Sequence, residues 1–303
     1  MSDSPVRLAI VGDPSDVAIW QDVSARLRGG CILALGDSMM VALEEHHNEF
    51  DAVVIQNPLN DGQAARRAAE ANKHVFISSP VAENLSAAEA VIEACRGAGV
   101  CFGVAQTFRY QPSSQTIIDR LSNGKLGDPG LLRVHRWRSP RNKPLAEWIF
   151  SDIDLATRLF GAKPTEVFAL ARHDVAAMPS YVQVHLGYPA GGMAIMDFSA
   201  TLPIGEGYDS LSLIGSRGAA YADDHRNTHL LYGGGHPSTL ISGEGHGHVC
   251  REIQTFVDAI RENKPPPVGD VECRATHQVI DAVAQSLEAG RVLSDRGGQY
   301  EPA

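Results

Sequence analysis

The chain has 303 residues, of which 44% are hydrophobic and 20% charged, a composition typical of a globular protein with one large or two ordinary domains. Its formal net charge of -10 argues against nucleic acid or an anionic membrane as the main partner, because both carry dense negative charge. Five cysteines without a Cys-x-x-Cys pair, and the absence of a signal-peptide pattern or a membrane-spanning apolar run, predict a reducing, cytoplasmic location.

The first predicted strand, Val6 to Val11, is followed by Gly12. A Rossmann domain places the fingerprint G-x-G-x-x-G here, so that a pyrophosphate can approach a helix N-terminus. This chain keeps only the first glycine, and Pro14 offers no amide hydrogen to a phosphate. Asp13 and Asp16 place negative charge at the start of the next helix, and we interpret them as an acidic N-cap region that repels a pyrophosphate.

A second strand is predicted over Cys31 to Leu35, and Asp37 follows it. An acidic residue in this position often binds the ribose hydroxyls of NAD. Only one helix fits between Asp37 and the next strand at Asp51, so one strand of a standard unit is missing or reduced. Asp37 therefore remains one candidate for the ribose ligand, and a different role stays open.

The stretch from Asp51 to Pro80 organises the first domain. It contains a β-branched strand, a helix with paired alanines on one face, and the second apolar strand Val75-Phe76-Ile77. A strand, a crossover helix and a strand form a right-handed unit with parallel strands. Ligands of such sheets bind beyond the carboxyl ends of the strands. Two loops are predicted to lie there: Gln56-Asn57-Pro58 and Ser78-Ser79-Pro80.

The rest of the first domain is predicted to hold one more helix and one more strand. A capping box from Ser86 to Glu89 opens the helix, and the strand Val100 to Val104 leads to a loop from Gln106 to Pro112. We place this Rossmann-like domain at residues 1–113. Residues 114–303 contain successive short strands with alternating hydrophobicity and few helices. The predicted fold class is α/β, with an N-terminal parallel-sheet domain and a C-terminal α+β domain built on a large, open, mostly antiparallel sheet.

In order and spacing, these segments resemble the glucose–fructose oxidoreductase / inositol dehydrogenase (Gfo/Idh/MocA) family. The resemblance rests on DAVVIQNP, AAEANKHVFISSP, FRYQP, LSNGKLGDPGLLRV and EIQTFVDAIRENKPPPV, which span nearly the whole chain. It implies binding of NAD or NADP, and hydride transfer to or from a sugar, polyol or related hydroxyl compound. It also implies an open sheet that mediates a homo-oligomer, a dimer or a tetramer. The positions implied in cofactor binding are Gly12, Asp13, Ser15, Asp37, Gln56, Asn57, Pro58, Ser78 and Pro80.

Two motifs of the family are altered here. Its E-K-P motif carries a catalytic lysine, and Ser79 stands at that position. Its D-x-G-x-H-x-x-D motif matches Glu147 to Asp154, with Ser151 in place of the histidine. An unassisted serine hydroxyl does not exchange protons near neutral pH as a lysine or histidine can. Lys73 is expected at the opposite end of the same strand, ~20 Å away, so it cannot substitute.

Three charged residues keep family positions and are the candidate catalytic groups: Glu147, Asp154 and Arg109. A structural role for Arg109 and Asp154, in an ion pair or on a helix face, is the alternative, because isolated charges are usually paired or solvated. Tyr110 and His185 are further candidates for a proton carrier.

Two other clusters have less specific patterns. A metal site at the histidines is disfavoured because no cysteine or carboxylate pattern accompanies them in their glycine-rich loop, and a mobile polar loop is expected instead. These histidines are His236, His246 and His248. A basic cluster could bind a carboxylate or phosphate, although a solvated loop is the favoured interpretation. Its members are Arg136, Arg138, Arg141 and Lys143.

Two functions remain open from the sequence. One is a divergent NAD(P)-dependent oxidoreductase that acts on a sugar-like small molecule, either neutral or anionic. The other is a non-catalytic relative, a pseudoenzyme, that binds a small ligand or a protein partner through the same cleft or sheet face.

Overall fold

The computed structural model describes residues 4–12, 16–36, 48–56, 62–139, 144–173, 179–204, 206–223, 228–232, 238–240 and 246–303. The chain divides into two compact units, Met1–Tyr110 with Glu244–His277 and Gln111–Gly243 with Gln278–Ala303. The first contains a parallel sheet and the second a larger, mostly antiparallel sheet, which confirms the predicted fold class. The first unit includes residues 244–277, a segment that the sequence-based boundary assigned to the second domain.

The sheet of the first unit has, within the described residues, five parallel strands in the order β2-β1-β3-β4-β5. Their bounds are β1 (Val6–Val11), β2 (Gly30–Gly36), β3 (Ala52–Ile55), β4 (His74–Ile77) and β5 (Phe102–Val104). All four residues of β3 are buried, as expected for a strand covered on both faces. The predicted strand–helix–strand unit between Asp51 and Pro80 is therefore confirmed.

Helices cover both faces of this sheet. The helices of the described part of the chain are α1 (Val17–Arg26), α2 (Gln63–Glu70), α3 (Leu85–Ala98), α4 (Thr107–Tyr110), α5 (Pro112–Ser122), α6 (Leu145–Phe160), α7 (Gly247–Glu262) and α8 (Asp270–Ala289). Residues of α2 and α3 share one buried cluster with the sheet, and residues of α1 and α7 share the cluster on its other face. A helix from late in the sequence thus completes the layer that α1 begins.

The start of α3 differs from its prediction. Asn84 is the N-cap, and its Oδ1 accepts a hydrogen bond from the Ala87 N–H at 3.0 Å. Ser86 consequently lies inside the first turn, and the predicted capping box is wrong. Glu89 instead accepts a hydrogen bond from Arg274 Nε at 2.8 Å. With Asn84 as the N-cap, the helix already begins at Leu85, so Ser86 is its second helical residue and cannot be its cap.

Two segments predicted as loops are partly helical. The loop expected from Gln106 to Pro112 contains the short helix α4 and the first residue of α5. Helix α7 begins at Gly247, so His248 lies in its first turn and not in a polar loop. The apolar face of α7, packed on the sheet, extends the helix further back than its sequence pattern alone indicated.

In the part of the second unit that the structure describes, ten strands form one sheet with the order β13-β12-β11-β10-β6-β9-β8-β7-β14-β15. Its strands are β6 (Pro129–Trp137), β7 (Glu166–Arg172), β8 (Tyr181–Gly187), β9 (Met193–Ser199), β10 (Tyr208–Gly215), β11 (Ala219–Asp223), β12 (Thr228–Tyr232), β13 (Ser238–Leu240), β14 (Leu293–Asp295) and β15 (Tyr300–Pro302). Among the described pairings, β6 and β9 run parallel and the others antiparallel.

The two faces of this sheet differ. On the inner face, α6 packs against β6 and β9, and the Ser286 Oγ of α8 accepts a hydrogen bond from the Ala169 N–H of β7 at 3.0 Å. Side chains that point inward are fully buried, among them Leu132, Val134, Val184 and Met196. The outer face carries exposed apolar side chains, namely Trp137, Leu170, Tyr181 and Met193. This alternation of buried and exposed residues follows from the two-residue period of a strand.

Candidate active site

The carboxyl edge of the parallel sheet brings together four of the predicted site segments. Backbone hydrogen bonds continue the ladder to this edge: Gln56 N–H donates to the Val11 carbonyl at 2.7 Å, and Ser78 N–H donates to the Ile55 carbonyl at 2.9 Å. Ala105 N–H donates to the Ile77 carbonyl at 2.8 Å. Gly12, Gln56, Ser78 and Gln106 therefore end neighbouring strands at the edge where ligands of such folds bind.

The Gln56 side chain lies directly on Gly12. A β-carbon added to Gly12 would lie 2.6 Å from the Gln56 Cβ and 2.7 Å from its Cδ, so even alanine would overlap this side chain. The Gln56 amide is held at both ends. Trp20 Nε1 donates to its Oε1 at 3.3 Å, and its Nε2 donates to Asp16 Oδ2 at 3.0 Å. Trp20 is itself buried, at 4% exposure, so the carbonyl end is fixed to the hydrophobic core.

Asp16 occupies the N-cap position of α1 but makes no capping hydrogen bond with its side chain. Its carboxylate accepts the Gln56 amide hydrogen instead. The prediction of an acidic N-cap at the start of α1 is confirmed for Asp16, but its carboxylate does not cap the helix. The first turn of α1 contains no acidic residue. Among the described residues of this helix start, the Asp16 carboxylate therefore provides the negative charge at the N-terminus of α1.

These contacts decide whether a dinucleotide fits. A pyrophosphate in this fold lies at the N-terminus of the first helix, close to the glycine that ends β1. That space holds the Gln56 amide and the Asp16 carboxylate, so the described residues do not fit a pyrophosphate in this arrangement. The other positions of this loop and its neighbours lie outside the described residues: Asp13, Ser15, Asp37, Asn57 and Pro58.

Ser79 lies at the same edge, immediately after β4. Ser78, Ser79 and Pro80 are each partly exposed, and the Ser79–Pro80 peptide bond is cis. Within the described part of the chain, no histidine, lysine or carboxylate forms a hydrogen bond with the Ser79 hydroxyl. The residue that replaces the family lysine is thus present at the expected place without a base that would activate it.

Lys73 lies at the amino end of β4, as predicted. Its Nζ donates to the Phe50 carbonyl at 2.9 Å and lies 5.0 Å from the centre of the Phe50 ring. Burial lowers the pKa of Lys73. Its hydrogen bond fastens the chain before β3, on the side of the sheet away from Ser79, and it takes no part in the carboxyl edge.

A buried acid in α7 holds the segment after β5. Glu252 is 3% exposed, and its carboxylate accepts hydrogen bonds from the Gln106 N–H and, at 3.1 Å, from Thr107 Oγ1. Tyr110 is fixed by the same helix, since its hydroxyl lies 3.1 Å from Thr255 Oγ1. The sequence interpretation missed Glu252. A signal was available, because Glu252 falls on the apolar face of α7, where a charge must have buried partners.

Arg109 lies in α4, between these anchors, and is only 9% exposed. Its neighbour Tyr110 also receives a hydrogen bond on its carbonyl from Arg251 Nη2 at 2.8 Å. Arg109 is thus buried, and both the hydroxyl and the carbonyl of Tyr110 are engaged within the first unit. This arrangement supports the structural alternative for Arg109 and makes Tyr110 a poor proton carrier, because its hydroxyl is engaged with Thr255.

In the second unit, three residues of the stretch that matches the D-x-G-x-H-x-x-D motif lie along one face of α6, called here the α6 stripe. Glu147, Ser151 and Asp154 are spaced at i, i+4 and i+7 and therefore share a face of the helix. Glu147 and Ser151 are partly exposed, whereas Asp154 is 1% exposed. The stripe runs from an accessible carboxylate to a buried one, with a hydroxyl where the family has an imidazole.

The basic residues after β6 are used within the protein. Arg136 forms a two-point contact with Asp152 of α6, with Nη2 to Oδ1 at 2.7 Å and Nε to Oδ2 at 3.1 Å. Burial raises the pKa of Asp152, and the Arg136 guanidinium opposes that rise. Arg138 pairs with Asp209. The favoured interpretation of a solvated loop is wrong for these two arginines, while Arg141 and Lys143 lie outside the described residues.

The His185 side chain lies on the face of the large sheet that is opposite to α6. Its Nε2 lies 3.0 Å from Gln183 Oε1, and Gln183 Nε2 donates to Asp197 Oδ1 at 2.6 Å. These residues alternate along β8 and β9 with the buried side chains that face α6, so they lie on the outer face. Its position on the outer face and its contact with Gln183 disfavour His185 as the proton carrier.

Among the residues that the structure describes, no three histidine, cysteine or acidic side chains converge into a group able to hold a metal ion. His246 Nδ1 lies 3.7 Å from Asp22 Oδ2, and His236 lies outside the described residues. The five cysteines are free thiols. No helix within the described ranges is both long and apolar enough to cross a membrane.

Two family models match the chain. The model of the oxidoreductase family C-terminal alpha/beta domain matches residues 118–294, and that of the oxidoreductase family NAD-binding Rossmann fold matches residues 24–106. The second match begins beyond Gly12 and Asp16, so the altered phosphate loop lies outside it. Together the matches extend over both units, and the first alone covers more than half of the chain.

Curated relatives and solved structures agree with this assignment. The scyllo-inositol 2-dehydrogenase (NAD(+)) of Bacillus subtilis is 24% identical over 276 residues, covering 80% of this chain and 76% of the relative. The myo-inositol 2-dehydrogenase of Thermotoga maritima is 24% identical over 265 residues, covering 80% and 78%. The aldose-aldose oxidoreductase from Caulobacter crescentus, solved with glycerol, shares the fold with a TM-score of 0.84 at 17% identity, covering 96% of this chain and 100% of that one. The chain belongs to the Gfo/Idh/MocA oxidoreductase family.

Proposed function

We propose that this protein is an NAD(P)-dependent oxidoreductase that acts on a hydroxyl group of a sugar, polyol or related compound. The observation that carries the proposal is the family match over residues 24–106 and 118–294. Two relatives that cover four-fifths of the chain are inositol dehydrogenases, and one is named for NAD. Cyclic polyols and NAD are therefore the first substrate class and cofactor to test.

Oxidation of a hydroxyl group requires a protein group that accepts its proton. Ser79 and Ser151 cannot do so unaided, and Glu147 is the partly exposed carboxylate of the α6 stripe. We assign Glu147 the role of proton acceptor. Asp154 and Arg109 are buried, and we assign them positioning roles.

The test is oxidation of myo-inositol, scyllo-inositol and a panel of aldoses with NAD and NADP, followed by the absorbance of the reduced nicotinamide. We expect turnover with at least one substrate, and Glu147→Gln should lower kcat by about a hundredfold, the effect of losing a general base. Glu288→Gln alters an exposed acid of α8 and should leave kcat unchanged. Absence of turnover across the panel with both cofactors would contradict the proposal.

A non-catalytic family member is the second candidate function. Two observations favour it: Ser79 lacks an activating base among the described residues, and the Gln56 amide covers Gly12. Such a protein would bind a small ligand or a protein partner without turnover. Binding of a polyol by calorimetry, with no turnover under the same conditions, would separate this function from the first.

We further propose that the protein works in the cytoplasm as a dimer or tetramer assembled through the outer face of its large sheet. Exposed apolar side chains are concentrated there, with Leu170 at 50% and Met193 at 49% exposure. Burying such a patch stabilises association by about 25 cal/mol per Å². Light scattering should give a mass of two or four times the 32.5 kDa chain, and a monomer would contradict this proposal.

A further inference from the structure

We propose that Gln56 is a built-in occupant of the pyrophosphate position, and that a dinucleotide binds this protein only after the Gln56 side chain has left Gly12. This inference uses the proposed function in one respect, the choice of NAD and its fragments as probes. It assigns a role in cofactor affinity to a residue at the end of β3, outside the phosphate loop itself.

The Gln56 side chain hinders a pyrophosphate sterically. Gly12 has no side chain, and the space that a side chain would need is filled by the Gln56 Cβ and Cδ, at 2.6 and 2.7 Å from an added β-carbon. In the fingerprint, the first glycine permits the tight turn after β1, and the second lets the backbone approach the pyrophosphate, which lies beside this turn. Here Gly12 leaves room for an amide from the neighbouring strand, so the Gln56 side chain and a pyrophosphate compete for one space.

Two hydrogen bonds hold the Gln56 side chain in place. Its carbonyl end receives a hydrogen bond from Trp20 Nε1, and its amino end donates to Asp16 Oδ2. Trp20 belongs to the buried cluster under α1, so its indole N–H is a fixed donor. Displacement of Gln56 therefore breaks two hydrogen bonds, one of them to a carboxylate, before a ligand gains any contact.

The Asp16 carboxylate hinders a pyrophosphate electrostatically. When the Gln56 amide leaves, the Asp16 carboxylate loses its hydrogen-bond donor and remains at the N-terminus of α1. A pyrophosphate that arrives there meets a negative charge where a backbone N–H cluster would otherwise attract it. Steric exclusion, the loss of two hydrogen bonds and charge repulsion all act against the same ligand group, and none of them acts against a ligand without phosphate.

The experiment compares the wild type with two variants that differ in bulk. Gln56→Ala removes the side chain that covers Gly12, and Gln56→Leu keeps a similar bulk without hydrogen bonds. Calorimetry with NAD, ADP-ribose and adenosine measures binding, and thermal unfolding confirms that each variant is folded. We expect Gln56→Ala to lower the Kd for NAD and ADP-ribose by about tenfold or more, equivalent to about 1.4 kcal/mol. Gln56→Leu loses both hydrogen bonds but keeps the bulk over Gly12, so its gain in affinity should be smaller than that of Gln56→Ala, and adenosine should bind all three proteins equally.

The outcomes separate this inference from the proposed function. If the wild type and Gln56→Ala bind ADP-ribose with the same Kd, or neither binds, the inference is overturned. It is also overturned if Gln56→Leu gains as much affinity as Gln56→Ala, because bulk would then not be the cause. If only Gln56→Ala binds, the inference stands and the NAD-dependent function of the natural chain fails. If all three bind equally and turnover is observed, the function stands and the inference fails.

Discussion

The two edges of the parallel sheet in the first unit use different chemistry. At the amino edge, charged and titratable side chains tie strands together: Arg7 contacts Asp51 at 2.7 Å, and Lys73 donates to the main chain before β3. His74 Nδ1 accepts a hydrogen bond from the Cys101 N–H at 2.9 Å. These contacts join strands, or the segments just before them, that are neighbours in the sheet, and each of them stabilises the fold.

At the carboxyl edge, the described residues include no lysine or histidine. Gln56 is fastened between Trp20 and Asp16, and Glu252 fastens the main chain of Gln106. The side-chain groups at this edge are amides, hydroxyls and carboxylates, and those of Gln56 and Glu252 are engaged in hydrogen bonds. The comparison shows that the position of a residue along its strand decides its role, since the lysine of β4 lies at the edge where it can only stabilise the fold.

Loss of Glu252 is the change with the largest expected effect, because it removes the anchor of the carboxyl edge. In Glu252→Ala, two donors of the segment after β5 lose a charged acceptor. The free energy of unfolding should fall by about 3 kcal/mol, measured by urea denaturation. Glu262→Ala, a change to an exposed acid at the end of the same helix, should have little effect. Equal effects of the two substitutions would show that the carboxyl edge is not held in this way.

Lowering the pH should have a smaller effect on stability, through His74 at the amino edge. Burial lowers the pKa of His74, so the unfolded chain binds a proton at His74 at a higher pH than the folded chain does. Stability is therefore complete above the unfolded pKa of about 6.5 and falls as pH drops below it. His74→Asn keeps an acceptor for the Cys101 N–H without titrating, so its urea midpoint should fall less between about pH 7 and pH 5.

His277 sets the background for that measurement. Burial lowers the pKa of His277 to about 4, and its contribution is lost with falling pH in the same direction. The urea midpoints of the wild type and of His74→Asn should therefore both keep the part of the pH dependence that His277 causes. A His74→Asn midpoint that falls as steeply as that of the wild type would remove His74 from this account.

The smallest effect is expected from Lys73→Met. The substitution removes one hydrogen bond to a carbonyl and one partly exposed cation–π contact. The free energy of unfolding should fall by about 1 kcal/mol or less. Affinity for NAD and any polyol oxidation should stay unchanged, because Lys73 lies at the edge away from Ser79. A clear loss of turnover at unchanged stability would contradict the assignment of Lys73 to a structural role.

Local patterns were sufficient to predict the strands and the family. The apolar runs of β1, β3 and β4 lie within a residue or two of the observed bounds, because buried parallel strands have a distinctive composition. The position of Lys73 followed from the strand alone. The cap of α3 did not, because Asn84 and Ser86 both suit an N-cap and only the folded backbone selects one of them.

Contacts between distant segments account for what the sequence could not indicate. Helix α7 joins the first unit through packing against the sheet, and no local pattern reports which sheet a helix covers. The orientation of Gln56 depends on Trp20 and Asp16, which lie 36 and 40 residues away. The pairing of Arg136 with Asp152 was likewise not predictable. Each residue alone is typical of a solvated surface, and only the folded arrangement of β6 and α6 brings the two together.

The most direct test of the central claim is a crystal structure of the wild type with ADP-ribose at millimolar concentration. We expect that the Gln56 amide and the pyrophosphate are never both in place. Wherever a pyrophosphate lies over Gly12, the Gln56 side chain must have left Trp20 and Asp16. A pyrophosphate over Gly12, with Gln56 still hydrogen-bonded to both residues, would contradict the account.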